Sequence, residues 1–349
     1  MFRSTHHWAH RPRLALVLVL LVGAFGVAVW KAGGRQEWAY ERDEPPPPVR
    51  PPPECPKPKE RRRDECARPS RLAPICPSDR SKPLVRPKKC IPDFRARLRR
   101  MRDVQHERLA YWRALELRPE LKWMALVGTY DSSEVDFGWL YTFLSDGERK
   151  YFLDFVERDA PCRVFTLGVG ADFSGETGLS NRYPQCEFVA VDPDAETNRP
   201  LVERLPTARF VQAVVGAAEG NFSASIRGAN GRYERQTVAH REIAAFLDEQ
   251  GGRERPIDLL LVDVEGAEFR LLPKLLDAQD RLPAICQLNA EVHFPPERFG
   301  LATADALAAL HRFLADGPFT VFNMDSQKQM LRLFLVNAQD ERCVEKFFC

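Results

Sequence analysis

Residues 163–192, RVFTLGVGADFSGETGLSNRYPQCEFVAVD, carry the clearest indication of the fold. One apolar run leads into a turn that contains Gly168 and Gly170, and a second apolar run ends at Asp192. Short β-rich runs that alternate with helical segments are typical of parallel strands joined by helices. The glycine turn and Asp192 then lie at the carboxyl edge of the sheet, where parallel sheets bind their ligands.

The same alternation continues to the end of the chain. Strands are predicted at 163–168, 187–192, 209–215, 257–264, 284–292, 319–324 and 330–337, with helical stretches such as 240–250 and 266–276 between most of them. The last two strands are joined by DSQKQ, which is too short for a parallel crossover and predicts an antiparallel hairpin. The predicted fold class is therefore α/β: a mostly parallel, seven-stranded, Rossmann-like sheet with helices on both faces and a C-terminal hairpin.

The N-terminus has the composition of a membrane anchor. Residues 14–30, LALVLVLLVGAFGVAVW, carry no charge and would form a helix of about 25 Å, near the lower limit for a membrane span. A cleaved signal peptide is the competing interpretation, and the lack of a clear A-x-A-like cleavage site disfavours it. Arginines in the tail at 1–13 place that tail in the cytosol. The sequence thus predicts a single-pass type II protein of the secretory pathway, facing the lumen of the Golgi or the endoplasmic reticulum.

Two further segments precede the predicted sheet domain, which begins at 161 and ends at 349. Residues 31–93 are basic and contain fifteen prolines between 45 and 92, which predicts an extended stem. The stem cysteines, Cys55, Cys66, Cys76 and Cys90, lack the C-x-x-C spacing of zinc sites, so a lumenal location favours disulfides. Residues 94–160 are predicted as a helical extension, with one helix at 94–117 and a second helical segment around 139–155, which contains a capping box of Ser145 and Glu148 before the run from Tyr151.

Asp192 follows Gly170 by twenty-two residues, a spacing at which a strand-end carboxylate accepts the hydroxyls of a ribose. The nicotinamide fingerprint G-x-G-x-x-G would require glycine at 173, where the chain has Phe173, and this disfavours a nicotinamide enzyme.

A rival interpretation comes from the run VAVDPD. Its Asp192 and Asp194 form a D-x-D motif like the one that holds a metal-bound sugar nucleotide in lumenal glycosyltransferases.

The run LLLVDVEGAEFRLL, residues 259–272, is a buried strand that opens onto Asp263, Glu265 and Glu268. Here the chain resembles the FkbM-type methyltransferases, whose signature at this strand is D-x-E-G-x-E. Residues 285–293 and 331–348 resemble the nematode-type branch of that family, many of whose members are membrane-anchored. The resemblance covers roughly 160–349.

The resemblance implies a class I methyltransferase sheet and transfer of a methyl group from S-adenosyl-L-methionine to a hydroxyl oxygen. Gly168 and Gly170 would face the methionine end of the cofactor, Asp192 its ribose, and Gln212, Ala213 and Val214 its adenine. Asp263 and Glu265 would border the reacting centre. The candidates for the base that takes the hydroxyl proton are Glu265, Glu268, Glu291 and His293.

One departure from the family pattern keeps a second class of function open. Thr166 stands where many methyltransferases carry an acidic residue, which is compatible with a non-catalytic descendant that acts as a lumenal binding protein. The expected partners are the membrane and a small-molecule or glycan acceptor. Neither a metal site nor nucleic-acid binding is predicted.

Overall fold

The structure is a computed structural model that describes residue 90 and residues 93–128, 140–145, 147–227, 233–327 and 329–349. Its helices are α1 (Phe94–Ala114), α2 (Pro119–Gly128), α3 (Ser174–Arg182), α4 (Ala195–Val202), α5 (Ile243–Gly251), α6 (Glu268–Asp277), α7 (Thr303–Asp316) and α8 (Glu341–Phe347). Its strands are β1 (Leu140–Ser145), β2 (Glu148–Leu153), β3 (Cys162–Leu167), β4 (Cys186–Asp192), β5 (Ala208–Gln212), β6 (Val214–Gly216), β7 (Gly220–Arg227), β8 (Tyr233–Glu242), β9 (Leu259–Val262), β10 (Gln287–His293), β11 (Phe319–Gln327) and β12 (Met330–Asn337).

Seven strands form the central sheet, in the order β11-β12-β10-β9-β3-β4-β5. The pairs β10–β9, β9–β3, β3–β4 and β4–β5 are parallel, whereas β12 is antiparallel to both of its neighbours. This confirms the predicted fold class, including the C-terminal hairpin of β11 and β12. The parallel strands place the turns after β3, β4 and β9 at one edge of the sheet.

Buried apolar side chains form two clusters, one on each face of the sheet. In β3, Val164 belongs to one cluster and Phe165 to the other, as expected for a strand covered on both faces. Leu109 and Trp112 of α1 are also buried in the core, so the predicted helix at 94–117 packs on the sheet domain. The sequence therefore located this helix and its packing on the sheet domain.

The strand predicted at 209–215 is divided in two. β5 ends at Gln212, and Val214–Gly216 leaves the central sheet to pair with β8 in a separate sheet of order β6-β8-β7. The apolar run was continuous in the sequence, which is why the pattern did not reveal the division.

The helix predicted around 139–155 is wrong. Leu140–Ser145 and Glu148–Leu153 form an antiparallel hairpin in which Ser145 pairs with Glu148, so the two residues interpreted as a capping box close a β-turn instead. Gly147 has φ of 73°, a left-handed conformation that glycine adopts readily. The aromatic and apolar side chains of these strands satisfy a helical spacing over a short range, but tertiary packing decides in favour of strands.

Side chains of β10 hold this hairpin against the sheet. Asn289 accepts a hydrogen bond from Tyr151 N at 3.0 Å and donates one to Tyr151 O at 2.8 Å, and Gln287 accepts one from Leu153 N at 2.6 Å. Glu291, on the same face of β10, forms a buried ion pair with Lys150. Alternate polar residues of a central strand thus satisfy the backbone of a second sheet.

Three disulfides stabilise the domain. Cys162–Cys186 joins β3 to β4, Cys286–Cys343 joins the start of β10 to α8, and Cys90–Cys349 joins the chain before α1 to the C-terminus. The expected disulfide chemistry is therefore confirmed for Cys90, although its partner lies outside the stem. The other three stem cysteines lie outside the described residues.

The predicted anchor at 14–30 also lies outside the described residues. Among the helices that are described, none combines the length and the apolar character that a membrane span requires.

The polar contacts beneath the hairpin should be measurable in the free energy of unfolding. Asn289→Leu keeps a similar side-chain volume but leaves the N–H and C=O of Tyr151 without these partners, so we expect a loss of about 1–3 kcal/mol in urea unfolding. Gln339→Leu, at an exposed position, should cost less than about 0.5 kcal/mol. Equal effects in the two variants would show that Asn289 does not hold the hairpin.

Candidate active site

A cavity of about 720 Å³ opens at the carboxyl edge of the parallel strands. Turns after β3, β4 and β9 form its floor, and the small sheet of β6, β7 and β8 forms a wall through Phe222, Arg235 and His240. Seven of the residues predicted for the site line the cavity: Gly168, Gly170, Asp192, Ala213, Val214, Asp263 and Glu265. The volume lies within the range of sites for small-molecule ligands.

Asp192 joins two of these turns. Its Oδ2 accepts hydrogen bonds from Val169 N at 2.9 Å and from Gly170 N at 3.4 Å, while its Oδ1 accepts one from Asp194 N at 2.8 Å. The side chain of Asn198, from α4, accepts a further bond from Ala171 N at 2.9 Å. The glycine turn and the end of β4 are therefore one rigid unit. Sequence reasoning missed Asn198, since nothing in the spacing marks a helix residue that reaches back to the turn.

Gly168 is required by its surroundings. Its φ is 88°, and a Cβ at this position would lie 1.8 Å from the carbonyl oxygen of Asp263. Gly170 also has a left-handed φ of 63°, but a Cβ there would meet no atom within 4 Å. The first glycine thus lets the turn after β3 approach the end of β9, whereas the second serves the turn geometry alone.

The acidic residue that is absent at position 166 is supplied by the next helix. Thr166 Oγ1 donates a 2.7 Å hydrogen bond to Oε1 of Glu176, whose side chain enters the core from the first turn of α3. Burial raises the pKa of Glu176, although the bond from Thr166 opposes this shift. A buried carboxyl group is therefore present beside β3, supplied by a residue ten positions after Thr166 in the chain.

Asp194 has a structural role. Its Oδ1 accepts a hydrogen bond from Thr197 N at 3.1 Å and caps α4. A carboxylate that caps a helix through its side chain satisfies an N–H group that would otherwise lack a partner. The second aspartate of the D-x-D motif thus has a role that needs neither a metal ion nor a sugar nucleotide.

Asp263, Glu265, Glu268 and His293 lie together at the ends of β9 and β10. His293 Nδ1 is 3.1 Å from Glu268 Oε1, and its Nε2 is 3.5 Å from Glu265 Oε2 and 3.7 Å from Asp263 Oδ1. Asp263 and Glu265 border the cavity, with Glu268 and His293 behind them. The structure therefore brings together all four of the residues predicted for catalysis.

The charges in this group shift one another's pKa values. Desolvation raises the pKa of Asp263 to about 6, against the opposing charges of His293 and Lys150. Desolvation alone would lower the pKa of His293, but the hydrogen bond to Glu268 and the surrounding carboxylates raise it to about 9. Because this pKa lies above neutral pH, the imidazole of His293 is charged there. The carboxylates are therefore better proton acceptors than His293.

Two other residues of the sequence prediction lie away from the cavity. Gln212 is exposed, and its Nε2 donates a 3.1 Å hydrogen bond to Pro193 O. Glu291 is buried under the hairpin with Lys150. Lys150 was not predicted from the sequence, because it belongs to the segment interpreted as a helix. Of the adenine-facing residues, Ala213 and Val214 remain at the cavity, and of the four candidate bases Glu265 alone lines it.

Residues 142–334 match the methyltransferase FkbM domain, so the match begins within the β1–β2 hairpin and includes the glycine turn and the acidic group. The chain belongs to this family, and it is an S-adenosylmethionine-dependent methyltransferase. A comparison with curated protein sequences finds no relative of this chain.

Solved structures resemble the fold only distantly. Fibrillarin from Methanococcus jannaschii, described as a pre-rRNA processing protein, is 8% identical over 52% of this chain and 69% of its own, with a TM-score of 0.35. Aeropyrum pernix fibrillarin, solved with bound S-adenosyl-L-methionine, is 11% identical over 56% and 82%, with a TM-score of 0.31. The putative methyltransferase yhhF from Escherichia coli is 15% identical over 51% and 78%, with a TM-score of 0.29. Likenesses this distant carry no information about substrates.

The two glycines allow a matched test of the turn. Gly168→Ala adds a steric clash with the backbone of Asp263 to the strain of a left-handed residue, so we expect a loss of about 2–5 kcal/mol in the free energy of unfolding. Gly170→Ala incurs the strain alone, about 1–2 kcal/mol. Urea unfolding of both variants measures the difference. Equal losses would refute the close approach of the two turns.

Proposed function

We propose that this protein transfers the methyl group of S-adenosylmethionine to a hydroxyl oxygen of a lumenal acceptor such as a glycan, and that it does so while anchored to a membrane. The observation that carries the proposal is that one cavity is bordered by the glycine turn with Asp192 and, on its floor, by Asp263 and Glu265. A nucleoside-binding edge and an acidic edge thus face the same space.

The cavity suits the cofactor. Asp192 sits at the end of β4, where a carboxylate can accept the hydroxyls of a ribose, and Ala213 with Val214 offers an apolar surface for a base. Gly168 and Gly170 both line the cavity, and neither carries a side chain that would stand between a ligand and the backbone of the turn. These residues would hold the cofactor, which supplies an electrophilic methyl group when it is bound.

The acidic edge suits a hydroxyl acceptor. A neutral hydroxyl must lose its proton as its oxygen bonds to the methyl carbon, and a carboxylate within hydrogen-bonding reach of the hydroxyl can accept that proton. Asp263 and Glu265 border the cavity where the acceptor would meet the cofactor, and direct displacement mainly requires that the reacting atoms be held in line. The chain's own contribution is therefore alignment together with a carboxylate that takes the proton.

Cysteine usage supports the lumenal location. Each of the six cysteines within the described residues is in a disulfide, and such bonds persist in oxidising compartments and are rare in the cytosol. The uncharged segment at 14–30 and the proline-rich stem at 31–93 complete the arrangement proposed for a type II protein, as the resemblance to the nematode-type branch implies. A glycan acceptor follows from this location, since hydroxyl groups of sugars abound there.

The alternatives are less well supported. The capping role of Asp194 accounts for the second aspartate of the D-x-D motif without a metal ion, although both aspartates line the cavity. A non-catalytic descendant was favoured by Thr166, and the carboxyl group of Glu176 that binds Thr166 is buried and does not line the cavity, so this alternative rests on the test of cofactor binding below. The cavity is also open rather than filled by side chains, which a pure scaffold would not require.

Cofactor binding can be tested by thermal unfolding of the full-length chain in detergent. S-adenosylhomocysteine at 100 times its Kd should stabilise the wild type by about 2.7 kcal/mol and raise its Tm. Asp192→Ala should abolish this rise. Asp194→Ala is the matched control: the lost helix cap lowers the baseline stability by about 1 kcal/mol, but the rise should persist. No response in the wild type would contradict the proposal, and an equal loss in both variants would show that Asp194, which also lines the cavity, contributes to the cofactor site.

The lumenal location predicts a thiol count. Protein secreted or retained in the secretory pathway of a eukaryotic host, when denatured without reduction, should react with a maleimide-polyethylene glycol at no more than three of its nine cysteines, since six are paired. The same sample should react at all nine after reduction, which controls for access. More than three modified cysteines before reduction would contradict the disulfide pattern and the location inferred from it.

A further inference from the structure

The acidic group at the ends of β9 and β10 has the geometry of a metal site. His293 lies at the end of β10 with its side chain largely buried, and two carboxylates from the turn after β9, Asp263 and Glu265, face its Nε2. Ligand atoms of Asp263, Glu268 and His293 lie within 4.8 Å of one another, and Glu265 Oε2 lies 3.5 Å from His293 Nε2, so side chains from two separate strand ends meet beside the cavity.

The distances around Nε2 are those of ligands that share an ion. The separations of 3.5 Å to Glu265 Oε2 and 3.7 Å to Asp263 Oδ1 exceed the usual 2.7–3.2 Å of an N–H···O hydrogen bond. Two atoms that each lie about 2.0–2.2 Å from a common metal ion are separated by about 3–3.6 Å. The separation to Glu265 Oε2 therefore fits shared coordination, and the separation to Asp263 Oδ1 lies just beyond that range.

Glu268 fixes the direction of the imidazole. Its Oε1 accepts from Val264 N at 3.0 Å and lies 3.1 Å from His293 Nδ1, while its Oε2 accepts from Gly266 N at 2.9 Å. The carboxylate is fully buried. A carboxylate that binds one ring nitrogen and leaves the other directed at the ion is the usual support of a metal-binding histidine. Glu268 is therefore a positioning residue, and Nε2 is the ligand atom.

Two further observations point to a missing positive charge. Asp263 Oδ1 is shielded from solvent, although the side chain as a whole is part-exposed, and it has no hydrogen-bond partner among the residues that the structure describes, a costly arrangement for a shielded polar atom. Three carboxylates surround one imidazole, and the neighbouring Lys150 is already paired with Glu291. In addition, Glu265 has a φ of 51°, and such left-handed conformations at non-glycine residues are frequent at functional sites.

We propose that Asp263, Glu265 and His293 bind a divalent cation of the Mn²⁺ type. Two carboxylate oxygens and one imidazole nitrogen suit such an ion, and three protein ligands leave coordination positions open toward the cavity. This site was not predicted from the sequence, because His293 lies twenty-five residues after Glu268 and the run D-x-E-G-x-E has no metal-binding spacing of its own.

The role of the ion rests on the proposed function. An acceptor hydroxyl oxygen that occupies an open position is made more acidic and releases its proton to solvent water. The oxygen then forms a C–O bond with the methyl carbon as the S–C bond breaks, and the electron pair of that bond remains on sulfur. The products are a methyl ether and S-adenosylhomocysteine.

Mn²⁺ binding can be measured without any activity assay. The full-length chain in detergent, stripped with a chelator and titrated with Mn²⁺, should bind about one ion per chain by electron paramagnetic resonance. Pulsed measurements on the bound ion should show coupling to a ¹⁴N nucleus. His293→Gln should remove that coupling, Asp263→Asn should weaken binding at least tenfold, and Glu268→Gln should weaken it about 10–100-fold.

Two controls separate this proposal from the proposed function. His240→Gln alters a histidine that lines the cavity but is not a proposed ligand. This variant should keep both the stoichiometry of Mn²⁺ binding and the nitrogen coupling. Asp192→Ala should lose the thermal response to S-adenosylhomocysteine but still bind Mn²⁺. The absence of cofactor binding in the wild type would count against the methyltransferase proposal alone.

The metal proposal is overturned if the wild type binds no stoichiometric Mn²⁺, if the bound ion shows no nitrogen coupling, or if a folded His293→Gln variant retains that coupling. Circular dichroism establishes whether each variant is folded. Should His293→Gln unfold, the pulsed spectrum of the wild type decides the question by itself.

Discussion

The hydrogen bonds of the Asp192 carboxylate hold together the edge of the sheet on which the site depends. One oxygen accepts hydrogen bonds from backbone amides of the turn after β3, and the other accepts one from the amide of Asp194 at the start of α4. Gly168 brings that same turn against the backbone of Asp263. Three strand ends are thereby fixed relative to one another, so that the nucleoside-binding edge and the acidic edge open into one cavity.

Much of this edge could be predicted from the sequence, because local patterns determine it. Apolar runs that end in glycine or aspartate identify parallel strands and their carboxyl ends, and a short final connection identifies the antiparallel hairpin. The side chains of Asp192, Asp263 and Glu265 were therefore assigned correctly to the cavity. Gln212 was assigned to it by its strand position, but the chain leaves the central sheet just after that residue, which no periodicity reveals.

The features that were not predicted depend on contacts between residues distant in sequence. The β1–β2 hairpin forms because Asn289 and Gln287, more than 130 residues later, satisfy its backbone. Glu176 reaches Thr166 from a helix, so a position-by-position comparison of motifs finds a threonine where the folded protein has a carboxyl group nearby. The sequence identified each of the acidic residues around His293, but their mutual distances follow only from the pairing of β9 with β10 and the turn that places Glu265 in a left-handed conformation.

The central claim is that one nucleoside cofactor lies between the glycine turn and Asp192 with its reactive end directed at Asp263 and Glu265. A crystal structure of the chain with S-adenosylhomocysteine tests this most directly. We predict density for the ribose beside Asp192, for the base beside Ala213 and Val214, and for the sulfur facing the acidic edge. A ligand bound elsewhere, or one whose sulfur points away from Asp263, would contradict the claim.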